Sequence, residues 1–158
     1  MSAALITAIF VGIAGLAYSA ILGFTATSSA DVFFHTSLGI FSTLLTLLAH
    51  SMTMFYLIGK GKAVREAAEE GQLSPDFYAA VARIRRPVFS MATVAMAVTM
   101  ITAILGGGVD TGSIPPIVHS TLAVLAIASN VAALRIEIVA MLASARVVAE
   151  VDHLLEGS

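Results

Sequence analysis

Residues 32–59 read VFFHTSLGIFSTLLTLLAHSMTMFYLIG, without one charged side chain between Asp31 and Lys60. A bilayer core is crossed by about 20 apolar residues in helical form, with a working range of roughly 17–25. This stretch is long enough, and it does not alternate apolar with polar positions as a β-barrel strand of about 10 residues does. Three further windows are equally free of charge: 1–30, 87–109 and 111–134. The first has no basic n-region and outruns the roughly 7–15-residue apolar core of a cleaved signal, so it is read as a spanning helix. The sequence therefore predicts an all-α fold, a four-helix transmembrane bundle in up-down-up-down order. The expected helices cover about 2–25, 31–70, 75–106 and 116–152, within a single integral membrane domain 1–158.

Composition points the same way. Of 158 residues, 58% are hydrophobic and 11% charged, against roughly 25% charged in soluble domains. Eight Lys+Arg and ten Asp+Glu cannot solvate a chain of this size. That excludes an ordinary soluble enzyme, a nucleic-acid binder and a disordered tail. Cysteine is absent, which removes disulfides, thiolate metal sites and cysteine nucleophiles together.

Charge placement predicts orientation. Six of the eight basic residues, Lys60, Lys62, Arg65, Arg83, Arg85 and Arg86, lie in the connection 60–86. Short basic loops stay cytoplasmic, so this connection and both termini are expected there, in a bacterial inner membrane. Within the loop, Gly71 reads as a C′ glycine. Ser74-Pro75-Asp76 reads as an N-cap, a first-position proline and an early acid. The second and third helices thus extend into a short cytoplasmic α-hairpin. Pro87 falls inside the third helix as a kink. Gly106, Gly107 and Gly108 read as a flexible turn. Small residues at four-residue spacing in the first helix, Gly15, Ser19 and Gly23 after Ala4, Ala8 and Gly12, read as bundle packing.

Intramembrane ionisable residues are costly and mark functional sites. Three histidines qualify: His35, His50 and His119. His153 lies in the polar tail and reads as solvated. His35 follows Asp31 by four residues and His119 follows Pro116 by three, so both should lie at the same depth. His50 is fifteen residues beyond His35, about 22 Å deeper and roughly 60° around the helix. Neutral imidazole is a standard axial ligand of haem iron, and bundle cores are where such cofactors sit. Gly39 and Ala123, each four residues after its histidine, are small enough to leave room for a porphyrin edge. Asp31 is placed to accept the second ring N–H of His35 and fix its tautomer.

This placement on the second and fourth helices resembles that of membrane b-type cytochromes. The resemblance implies a b-type haem between His35 and His119 and a role in electron transfer. The pattern departs from di-haem members at one point, because the position matching His50 on the fourth helix falls near Leu134 and Arg135. Haem propionates would have to be solvated by Thr36, Ser37, Thr111, Ser113 and Ser120 or face water, since that end carries no Lys or Arg. His50 would ligate a second haem with a methionine or a neighbouring chain, or line a quinone pocket.

Other readings stay open. His50 with Met54, Met91 and Met96 forms an imidazole–thioether set suited to copper(I), or the methionines are apolar filler. A cofactor-free accessory or scaffold subunit also suits a small chain with minimal loops. A stand-alone enzyme is not expected, since the windows hold no carboxylate pair, serine–histidine–acid set or phosphate loop. Expected partners are the lipid bilayer, other membrane subunits or a second copy of the chain, and a quinone. Asn130 should bond across to another helix. Arg135 and Glu137 are expected at the inner interface, snorkelling or pairing with loop charges.

Overall fold

The computed structural model describes residues 1–157. They form four α-helices: α1 (Ser2–Thr25), α2 (Ser29–Glu70), α3 (Asp76–Asp110) and α4 (Pro116–Glu156). Each is long and apolar enough to cross a membrane. In lipid, backbone N–H and C=O groups must pair within the segment, and a helix does this unaided. Large apolar side chains such as Phe10, Phe33, Phe41, Leu44, Phe55, Ile104 and Leu142 point outward. That surface is compatible with contact with a lipid bilayer.

The interior is built from small and hydroxylated residues instead. Thr46, Thr99 and Thr102 bury their hydroxyls by donating to the carbonyls of Ser42, Ala95 and Val98, the i−4 bond that silences a helical threonine in an apolar setting. Three apolar clusters follow one another along the bundle: Ile9, Ile13 and Ala49, then Leu57, Val88 and Ala140, then Val64, Val81 and Val151. The small face of α1 lies against α2, with Gly12 on Thr46, Gly15 on Ser42 and Gly23 on His35. Small residues let the backbones approach where no hydrophobic drive holds helices together.

Several expected boundaries shift. α2 opens at Ser29 behind a capping box in which Ser28 Oγ accepts the Asp31 N–H at 3.2 Å and the Asp31 carboxylate accepts the Ser28 N–H at 2.9 Å. α3 runs through all three glycines to Asp110, so the expected flexible turn at 106–108 is helix. Two of those glycines are there for space: a Cβ on Gly106 would press on the His119 ring, and one on Gly108 on Ile114. Gly71 caps α2 at φ −83°, and the left-handed residue is Gln72, at φ 54°. Gly71 is glycine because a Cβ there would meet the side chain of Leu155. α3 starts at Asp76, one residue later than expected, with its N–H on Ser74 Oγ. Pro87 lies inside α3.

Candidate functional site

His35 on α2 and His119 on α4 meet near the end of the bundle that holds the α1–α2 and α3–α4 connections. Their ring centroids are 6.0 Å apart, with the planes at 81°. Each ring is held by the backbone of a third helix. His35 Nδ1 lies 2.7 Å from the Ser19 carbonyl of α1, and His119 Nδ1 lies 3.1 Å from the Thr102 carbonyl of α3. A carbonyl only accepts, so both Nδ1 atoms carry the proton, and in the neutral form of each ring Nε2 is then the bare nitrogen. Ser19 Oγ, 3.2 Å from the same Nδ1, donates to the His35 carbonyl at 2.9 Å and fixes α1 to α2 at this level.

The space for the rings is made by glycine. A Cβ on Gly23 would lie 2.8 Å from His35 Cε1, and one on Gly106 would lie 3.1 Å from His119 Cε1. Gly39 serves the anchor, since its Cβ would lie 3.0 Å from Ser19 Oγ. Both histidines line a cavity of about 370 Å³ bounded by all four helices, and Gly39 and Ala123 line it too. Its volume is in the usual range for small-molecule sites, about 300–1,000 Å³. Thr36 and Ser120 bring hydroxyls to its wall and Asp110 a carboxylate. Of the other hydroxyls expected there, Thr111 and Ser113 bond to each other at 3.1 Å.

Asp31 does not orient His35. Its carboxylate is spent on the capping box and on the N–H and hydroxyl of Thr27. A helix start needs donors satisfied, and the short loop 26–28 before α2 supplies a closer use for the carboxylate than a ring one turn ahead.

His50 stands elsewhere. It is fully buried, and its Nδ1 lies 2.8 Å from Glu137 Oε1 while its Nε2 lies 2.9 Å from Asn130 Oδ1. Both ring nitrogens are engaged in hydrogen bonds to side chains, and His50 is not among the cavity-lining residues. Asn130 Nδ2 donates to Thr99 Oγ1 and to the Ala126 carbonyl, each at 2.7 Å. The expected bond from Asn130 across to another helix is thus made twice, to α2 and to α3. Met54 packs beside Leu57, Val88 and Ala140, and Met96 accepts the Ser51 hydroxyl at 3.6 Å. Met91 is half-buried in α3. No group of three or more His, Cys, Asp or Glu gathers around a point among the described residues.

Glu137 is the main surprise. Expected at an interface, it is 0% exposed, while Arg135, two residues earlier, is exposed. The signal lay in α4 itself: Asn130, Glu137, Ser144 and Val151 repeat every seven residues, and all four are buried. Residues two turns apart share a face, so an inward Asn130 carries Glu137 inward with it. The roles of Ser19, Gly23, Gly106 and Thr102 were invisible in the sequence, since a carbonyl or a missing methyl gains meaning only when a partner helix is in place.

Comparison of the chain with known protein families, with curated proteins and with solved structures finds no match.

Proposed function

We propose that this chain is a membrane electron-transfer protein, or such a subunit of a larger complex, that holds one b-type haem between His35 and His119. The observation that carries this is the pair of adjacent imidazoles from α2 and α4, each with Nδ1 on a backbone carbonyl, so that Nε2 is the nitrogen left for a metal. Metal-ligating histidines are oriented in this way, with the distal N–H bonded to a carbonyl or carboxylate. The two rings come together from different helices, with centroids 6.0 Å apart, and would be the residues to hold a haem iron if one were bound. The cavity around them is lined by apolar and small side chains, which suits a flat apolar ring system.

Bound there, a haem supplies reversible one-electron chemistry. The chain's own part is to hold the two ligands, to keep their protons on Nδ1 and to exclude water from the cavity floor. Thr36 and Ser120 would offer hydroxyls to propionates beside the Asp110 carboxylate, a wall with no cation that would direct propionates toward water.

The same reading places the bundle up-down-up-down in a bacterial inner membrane, with the basic connection 60–86 and both termini cytoplasmic. It is supported by the charge distribution and by the order of α1–α2 contacts, in which Gly23 meets His35 and Gly12 meets Thr46. The far ends of α2 and α3 then form a cytoplasmic hairpin, supported by Tyr78, whose ring lies under the guanidinium groups of Arg65 and Arg85.

Iron and protohaem measured on the purified chain test this reading. One haem per chain is expected, with occupancy lost in both His35→Ala and His119→Ala. An iron-free, colourless preparation from haem-replete cells contradicts it and leaves the accessory-subunit reading.

A further inference from the structure

A groove of about 480 Å³ lies between the start of α1 and α2, at the end of the bundle away from the histidine cavity. Leu5, Met52, Phe55, Tyr56, Gly59 and Lys60 line it. Its place follows from the antiparallel packing of α1 on α2, in which Gly23 meets His35 and Gly12 meets Thr46. Continued in the same register, the first turns of α1 lie beside the last apolar turns before Lys60. Met52 and Phe55 are 45% and 68% exposed, so the groove is open to whatever surrounds the bundle. No carboxylate lines it, and its one charged side chain is Lys60.

Lys60 differs from the two basic residues that follow it. Lys62 pairs with Glu66 at 3.6 Å and Arg65 with Glu69 at 3.7 Å. Among the described residues Lys60 has no carboxylate within ion-pair distance. Its ammonium lies 5.8 Å from the centre of the Tyr56 ring, a contact that holds a cation without neutralising it. Other helices bring unpaired cations to a similar level. Leu57, Val88 and Ala140 form one cluster. Lys60 stands three residues beyond Leu57, Arg86 two before Val88 and Arg146 six beyond Ala140. At 1.5 Å per residue all three lie about 3–9 Å past that cluster, on the side of the connection 60–86. The groove therefore sets an apolar wall beside a free cation at the depth where the charge-free stretch of α2 ends. Tyrosine and lysine at such a depth sit among lipid headgroups, and basic pockets between spanning helices bind anionic ones.

We infer that this groove is a binding site for one anionic phospholipid, with its phosphate on Lys60 and an acyl chain along Phe55 and Met52. A zwitterionic lipid carries its own cation and gains less from Lys60. The charge-free faces of a second copy would cover the groove but bring Lys60 no counter-charge, whereas a phosphate does. Gly59 keeps the groove open: a Cβ there meets nothing within 4 Å, so a longer side chain would fill the lipid's space without pressing on the chain itself. The inference needs α2 to leave the hydrocarbon near Lys60. It does not depend on which membrane face that is, nor on a haem.

The test is native mass spectrometry of the full-length chain in detergent, with phosphatidylglycerol and phosphatidylcholine of matched acyl chains added in equal amounts. One phosphatidylglycerol per chain is expected, preferred about fivefold, the ratio given by about 1 kcal/mol for one basic side chain at an anionic surface. Lys60→Gln should abolish the preference and Lys62→Gln, whose lysine is already paired, should keep it. Gly59→Leu should lower binding of both lipids while helix content stays unchanged. The two lysine variants keep the test decisive if the leucine variant does not assemble. Equal binding of the two lipids, equal losses in Lys60→Gln and Lys62→Gln, or paired chains that Gly59→Leu separates would overturn the inference. A colourless chain that keeps the lipid preference defeats the haem reading alone, and a haem-loaded chain without it defeats this inference alone.

Discussion

At Gly23 a single methyl group decides whether His35 can keep its place. The added Cβ would lie 2.8 Å from Cε1 and 2.9 Å from Nδ1, and the ring cannot retreat without leaving the Ser19 carbonyl. Gly23→Ala is therefore expected to cost about 1–3 kcal/mol in stability. Haem affinity should fall about 10–100-fold, the usual effect of disturbing the groups behind a ligand. Unfolding in detergent and haem per chain measure both. Gly106→Ala, with its nearest approach at 3.1 Å, should show the same losses in smaller measure. In the other site, Asn130→Ala removes three bonds that its side chain makes. Such bonds average about 0.6 kcal/mol and reach about 1.7 in a membrane bundle, so a loss near 2 kcal/mol is expected in thermal unfolding. The three intramembrane histidines were plain in the sequence because they stand alone in charge-free windows. Their partners were not, because Ser19 and Thr102 act through carbonyls that every residue has.

The helix ends and the glycine run carry their own lesson. Ser28→Ala opens the capping box and should destabilise the protein by about 1 kcal/mol. Asp31→Asn should leave haem occupancy unchanged, because the Asp31 carboxylate serves the cap; a parallel loss of haem would restore it as a partner of His35. Within α3, Gly107 and Gly106 should respond with opposite signs. Nothing lies within 4 Å of a Cβ on Gly107, so Gly107→Ala should stabilise the helix by roughly 0.5–1 kcal/mol. Helix number and type were legible from charge-free length alone. Three glycines in a row looked like a turn because local propensity disfavours them in a helix, and the reason two of them are there lies outside α3: the His119 ring of α4 and Ile114 in the connection before it.

Across the whole molecule, a set of polar side chains is buried beside the apolar clusters while many large apolar ones are outside, unlike a soluble bundle. Thr46, His50, Thr53, Asn130 and Glu137 are all 0% exposed, while Phe33, Phe55 and Ile104 are more than half exposed. Absence of cysteine makes orientation a clean measurement. Single cysteines introduced as Gln72→Cys and Ser113→Cys should react with impermeant thiol reagents from opposite faces of the membrane, Gln72 from the cytoplasmic side. Labelling of both from one face would contradict the topology. The central claim, that His35 and His119 grip one haem, is tested most directly by the reduced-minus-oxidised optical spectrum of the purified chain. The account predicts a low-spin b-type difference spectrum that disappears when either histidine becomes alanine and persists in His50→Gln. A spectrum without haem features, or one that survives loss of His35 and His119, would contradict it.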